Sequence, residues 1–177
     1  HAARVLVDRQ QLIEGTDLMA TIADCRRTLD VFAITGTSFL ANNEVLQAAM
    51  ARGIRVRMLL LDHGPENREN VQRYFAFGTD PGGGAEWSLR NFEIAVNRFR
   101  TLGVELKLWR GPLLHTFWIR DGADPEHGLG HVELLYFGDL RANPSLRLGT
   151  LAVPVQASLQ PQFDYMWNLQ GVAVAPR

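Results

Sequence analysis

Two stretches of the chain share one pattern, and that pattern limits the folds open to it. Residues 54–61, Ile54-Arg55-Val56-Arg57-Met58-Leu59-Leu60-Leu61, follow a helical pattern and Gly53. Residues 104–109, Val104-Glu105-Leu106-Lys107-Leu108-Trp109, follow a second helical pattern and Gly103. A glycine just past a helix takes the left-handed conformation that ends it. The first run begins by alternating and turns wholly apolar, as an interior parallel strand does. Two helix–glycine–strand units predict right-handed crossovers and a largely parallel sheet.

The remaining elements fit around these two. Residues 3–7 read as a short strand or an ordered lead-in. Leu18, Ile22, Cys25 and Leu29 recur at helical spacing behind Thr16 or Asp17, which predicts a helix over 17–29. Val31 to Thr35 read as a buried strand closed by Gly36. Asn42 or Asn43 caps a helix with Val45, Leu46, Ala49 and Met50 on one face. A polar helix is expected over 66–77 and the longest helix over 85–102, with Leu89, Phe92, Val96 and Phe99 aligned. Between them, Asp80-Pro81-Gly82-Gly83-Gly84 reads as a flexible connector. No strand leads into these glycines and no Gly-Lys-Ser/Thr follows, so they do not make a phosphate cradle.

From residue 113 the chain changes character. Strands at 114–120 and 132–138 have no helix between them and are expected to pair antiparallel across the loop 123–130. Asn143-Pro144 marks a turn, 151–155 an edge strand, 163–167 a short amphipathic helix and 172–174 a closing strand. The expected architecture is an α/β sandwich with a mixed, largely parallel central sheet flanked by helices, in a single domain over 1–177.

Composition narrows the function. A formal net charge of −1 gives no strong nucleic-acid signal. No apolar run approaches the roughly 20 residues that span a bilayer, and no signal peptide is visible. His1 stands where an initiating Met would, so the chain is expected to be part of a longer protein. The cations are 17 Arg and one Lys, Lys107, a bias that points to a GC-rich bacterial source. The single cysteine, Cys25, excludes an internal disulfide and reads as a small buried hydrophobe in a reducing, cytoplasmic setting. His63, His127 and His131 lack metal-ligand spacing, so no metal and no cofactor are expected. Arg55 and Arg57 alternate with apolar residues and read as a solvated strand face. Trp109, Trp118 and Trp167 read as core aromatics.

The chemistry concentrates in Leu114-His115-Thr116-Phe117-Trp118-Ile119-Arg120-Asp121, a strand-like run with a histidine at its start and a carboxylate at its end. In order, the run Arg52 to Leu60, the run Gly103 to Leu106, this strand and the aromatic helix Phe163 to Trp167 resemble one half of the phospholipase D superfamily fold. Active members carry His-x-Lys-x4-Asp followed by Gly-Ser-x-Asn. The resemblance implies a histidine that attacks phosphorus, a lysine on the phosphate oxygens and a second histidine from a paired half or a dimer partner.

His115 matches the nucleophile. Phe117 stands at the lysine position, Asp121 falls one residue before the expected acid (which is Gly122), and Gly138-Asp139-Leu140-Arg141 keeps only the glycine of the second motif. The chain is more similar to degenerate single-half modules that serve as sensor or regulatory domains in bacterial regulators. A non-catalytic ligand-sensing or dimerisation domain is therefore expected. Thr35, Ser38, Asp62, His115 and Arg141 would line a pocket for a small phosphorylated or nucleotide-like ligand at the strand ends. The alternative is a homodimeric phosphodiesterase or nuclease with His115 and Asp121 as catalytic residues.

Overall fold

A computed structural model describes residues 4–6, 16–75, 83–112, 115–134, 145–148, 158–170 and 172–173. Strand β1 (Arg4–Leu6) precedes helix α1 (Thr16–Ala23) and strand β2 (Thr28–Ala33). The short α2 (Thr37–Leu40) and α3 (Asn43–Ala51) lead to β3 (Arg55–Leu61). A 3-10 turn (Pro65–Asn67), α4 (Arg68–Phe75) and α5 (Gly83–Leu102) lead to β4 (Glu105–Trp109). Then come β5 (His115–Arg120), β6 (Leu129–Leu134), β7 (Ser145–Leu148), α6 (Gln160–Tyr165) with a π-helical turn (Met166–Gln170), and β8 (Val172–Ala173).

The eight strands form one mixed sheet in the order β1-β7-β6-β5-β2-β3-β4-β8. Its centre, β2-β3-β4, is parallel, and both wings are antiparallel. Both crossovers reach their strand through a left-handed glycine, Gly53 at φ 86° and Gly103 at φ 79°. A residue with a Cβ would be strained at either position.

Alternation along the central strands builds two cores. One face, with Leu29 and Val31 of β2, Val56, Met58 and Leu60 of β3, and Leu106 of β4, packs against α1, α3 and α5 through Ile22, Leu46, Phe92 and Phe99. The other, with Phe32, Leu59, Leu61, Trp109, Phe117 and Ile119, packs against Phe163, Met166 and Trp167 of the C-terminal helix. Among the described residues no helix is long and apolar enough to cross a membrane.

The structure departs from the expectations at identifiable places. Helix α1 ends at Ala23, and Leu29 already belongs to β2. Its period-4 spacing arose because helix and strand bury side chains in the same core. Gly83 and Gly84 belong to α5 rather than to a connector. They occupy its first turn, where backbone N–H groups lack intrahelical partners in any case. Strand β6 starts three residues earlier than expected, at Leu129, and β7 was not expected at all. Arg57 is not on a solvated face: its side chain is 11% exposed, against Asp30. Asn143-Pro144 and residues 80–82, 135–141 and 151–155 lie outside the described residues, and with them Arg141.

Candidate functional site

The C-terminal ends of β2, β3 and β4 and the start of β5 share one edge of the sheet. This follows from topology: β5 runs antiparallel to β2, with Phe117 opposite Phe32, so His115 emerges beside the end of β2. Thr35 and Ser38 follow β2, Asp62 and His63 follow β3, and Arg110 follows β4. Neighbouring strands lie about 4.8 Å apart, which sets β3 and its Asp62 roughly 10 Å from His115 across the sheet.

His115 is half-buried on the face covered by α6. Its ring stacks on Phe117, with centroids 5.6 Å apart. Phe117 is 2% exposed and wedged edge-on against Phe32 and Phe163. The position at which the family resemblance expects a lysine is thus filled by a ring sealed in the core. The amide nitrogen of Gln162 donates to Nε2 of His115 at 3.1 Å, an arrangement that requires the neutral imidazole. Burial holds the His115 pKa below the ordinary value.

Two strands away, Asp62 is almost fully buried and engaged. Its Oδ1 accepts the Gly64 N–H at 2.8 Å and its Oδ2 accepts Nε of Arg110 at 2.7 Å. The other arm of Arg110 reaches Glu66. His63 is buried, stacks on Phe92 at 4.5 Å and places Nδ1 2.8 Å from the Leu61 carbonyl. Desolvation lowers its pKa as well. Thr35 and Thr37 share a hydroxyl hydrogen bond at 3.2 Å, and the Ser38 carbonyl accepts from Asn42. Thr35, Ser38, Asp62 and His115 therefore lie at the same end of the sheet, and of these four only His115 is shown in contact with α6.

The structure does not bring Asp121 to His115. Six residues of strand at about 3.3 Å each put them on the order of 20 Å apart. Asp121 leaves the strand at φ 49° and turns its carboxylate beneath the start of β2. There it accepts backbone N–H groups of Arg26 (3.0 Å), Arg27 (2.7 Å) and Thr28 (3.0 Å). The Cys25 thiol beside it donates to the Thr28 carbonyl, and burial together with the Asp121 charge pushes its pKa up to about 12. At that value the thiol is inert, as expected for a small buried hydrophobe.

Gln162 and Arg110 are the site residues that sequence reasoning missed. Arg110 had a signal, since it directly follows a strand at the mouth of a parallel sheet. Gln162 had none: it sits one residue before the aromatic stripe of its helix and reaches back to a strand 47 positions away.

The two lowered histidines imply a pH response. The unfolded chain takes up these protons near the ordinary value of 6.5, before the folded chain does. Their contribution is complete above that value and is lost as the pH falls from it toward the lower folded values. Glu105, held down by its hydrogen bond from Arg55, responds only in the carboxylate range further down. Urea unfolding midpoints are expected to fall between pH 7.5 and 5.5, and the fall should be smaller in His63→Phe. An unchanged slope in that variant would remove His63 as a cause.

No family model matches the chain, and no curated protein sequence matches it. Solved structures do. The archaeal chromatin protein TrmBL2 superposes with a TM-score of 0.59 at 13% identity, over 98% of this chain and 54% of that one. NucT from Helicobacter pylori gives 0.55 at 11% identity, over 98% and 99%. Phosphatidylserine synthase of Haemophilus influenzae gives 0.50 at 12% identity, over 98% and 39%. The fold is phospholipase D-like. The chain spans about half of TrmBL2 and about two fifths of the synthase.

Proposed function

We propose that this phospholipase D-like chain is a non-catalytic ligand-sensing or dimerisation domain of a bacterial regulatory protein. One observation carries the reading: Phe117, at the lysine position of the active motif, is buried beneath His115 and stacked on it. Phosphoryl transfer needs positive charge where the phosphate oxygens develop their own. An aromatic ring in the core does not supply it. The Gln162 amide further occupies Nε2 of His115, one of the two ring nitrogens a nucleophile could use.

The likeness to TrmBL2 supports the regulatory part. That protein is described as a chromatin protein with a novel mode of DNA binding, and this chain matches only about half of it. With a net charge of −1, this chain's role in such a protein is read as sensing or pairing rather than gripping DNA. The ligand, a small phosphorylated or nucleotide-like molecule, would meet His115, Thr35, Ser38 and Asp62.

The test is hydrolysis of bis(4-nitrophenyl) phosphate by the wild-type chain and by His115→Ala. Both are expected to match the blank. Turnover that disappears in His115→Ala would overturn the proposal and favour a phosphodiesterase acting through a second copy of the chain.

A further inference from the structure

We infer that the C-terminal helix is the regulatory element of this site: Gln162 holds His115 in the place of a ligand, and a ligand that takes His115 shifts the helix on the sheet. The inference rests on the reading of His115 as the ligand-facing group.

Two glutamines of one helical turn reach toward opposite ends of β5. Gln162 meets His115 at its start. Gln160 turns the other way and donates to Oδ2 of Asp30 at 2.9 Å, in a clamp where Arg57 also binds Asp30 and Asp164. Gly122, just past the other end of β5, leaves room for it: a Cβ there would collide with Gln160 Oε1. The helix therefore touches both ends of the strand, and a movement at one glutamine is carried to the other by the helix backbone.

The hold on the sheet is partly polar. Arg57 lies 4.9 Å from the Phe163 ring centre and 5.7 Å from that of Trp167. Lys107, the one lysine of the chain, donates to the Trp167 carbonyl at 2.6 Å and lies 4.9 Å from the Trp167 ring centre. Such contacts tolerate sliding better than interlocked aliphatic side chains, since the attraction of a cation to a ring face is broad. The π-helical turn at Met166–Gln170 adds an irregularity of the kind found where helices adjust at functional sites.

The charged groups around His115 have partners of their own. Asp30 and Asp164 are held by Arg57, Asp62 by Arg110, and Glu133 lies on the opposite face beside Thr116. What takes the Nε2 lone pair, a ligand or a proton, thus competes first with the Gln162 amide.

The test reads helix and site separately: backbone amide exchange over 160–170 for the helix, and the His115 ring-proton titration for the site. In His115→Ala the amides of 160–170 are expected to exchange about five-fold faster, the factor for one lost hydrogen bond. In Asp164→Ala, changed only at the clamp, the same amides should speed up. His115 should then titrate closer to its ordinary value, because the helix that buries it has loosened. Gly122→Ala, which crowds Gln160, should do the same and serves if Asp164→Ala does not fold. Unchanged exchange in His115→Ala would overturn the coupling, as would a His115 titration unmoved in a clamp variant whose helix exchanges faster. Phosphodiester turnover by the wild type would overturn the functional reading above and leave this coupling standing.

Discussion

Asp121→Ala is expected to lower the unfolding free energy by roughly 3–5 kcal/mol, one of the two largest effects of any single substitution considered for this chain. The carboxylate is 2% exposed and accepts three successive backbone N–H groups, those of Arg26, Arg27 and Thr28. Removing it leaves those donors without their acceptor in the turn that delivers the chain from α1 into β2. Each orphaned buried donor costs about 1–3 kcal/mol, tempered by whatever water reaches the turn. Alanine at φ 49° adds strain, whereas asparagine tolerates that region. Asp121→Asn keeps Oδ1 for Arg27 and Thr28 but turns an amide toward Arg26, so its loss should be about 1–2 kcal/mol. Urea unfolding with an unchanged m-value would give the order wild type, Asn, Ala. An alanine variant within about 1 kcal/mol of wild type would show that the carboxylate does not hold the turn.

The sequence carried the sheet's centre and missed its ties. Gly53 and Gly103, with apolar strands after them, were enough to place β3 and β4 in parallel, because the left-handed helix stop and the interior strand each leave a local signature. Leu29 misled, since a helix and a strand that bury side chains in one core can share a single period. Arg57 misled for the opposite reason. In a strand, alternation separates the two faces but does not say whether the second meets water or another layer. Here α6 covers it, and the arginine is paired with Asp30 inside. Asp121, although one residue short of the expected acid, stood beside His115 as a candidate for an active enzyme. Yet a strand six residues long carries its two ends to opposite edges of a sheet, where one end can face ligand and the other can only hold the chain.

That separation assigns different work to the two ends of β5. At the Asp121 end the contacts are backbone amides on a buried carboxylate, which tie the turn before β2 to the end of β5. At the His115 end the contacts are a side-chain amide and an aromatic stack. Phe117 belongs to the second end, where its ring carries the His115 imidazole. The fold itself rests on the first end and on the two apolar cores.

Arg57→Met is expected to cost about 3–5 kcal/mol, because it strands a buried charge. Asp30 is 1% exposed, and Arg57 grips it with two hydrogen bonds at 2.6 and 2.7 Å. Without the guanidinium, Asp30 keeps the Gln160 amide as its side-chain donor among the described residues. The reverse change is milder. Arg57 in Asp30→Leu retains Asp164 at 3.0 Å and the faces of Phe163 and Trp167, so that variant should lose about 1–2 kcal/mol. In the double variant neither charge remains, and leucine and methionine extend the apolar surface of Phe32, Leu59 and Phe163. Its stability should return to within about 1 kcal/mol of wild type, since an apolar replacement of a buried pair is often neutral. The cycle therefore shows a coupling of at least about 3 kcal/mol, far above what separated sites give. Because the pair is shielded from solvent, the cycle should change little between low and high salt. Additive losses in the double variant would mean that the clamp acts through packing alone, with the two charges independent of each other.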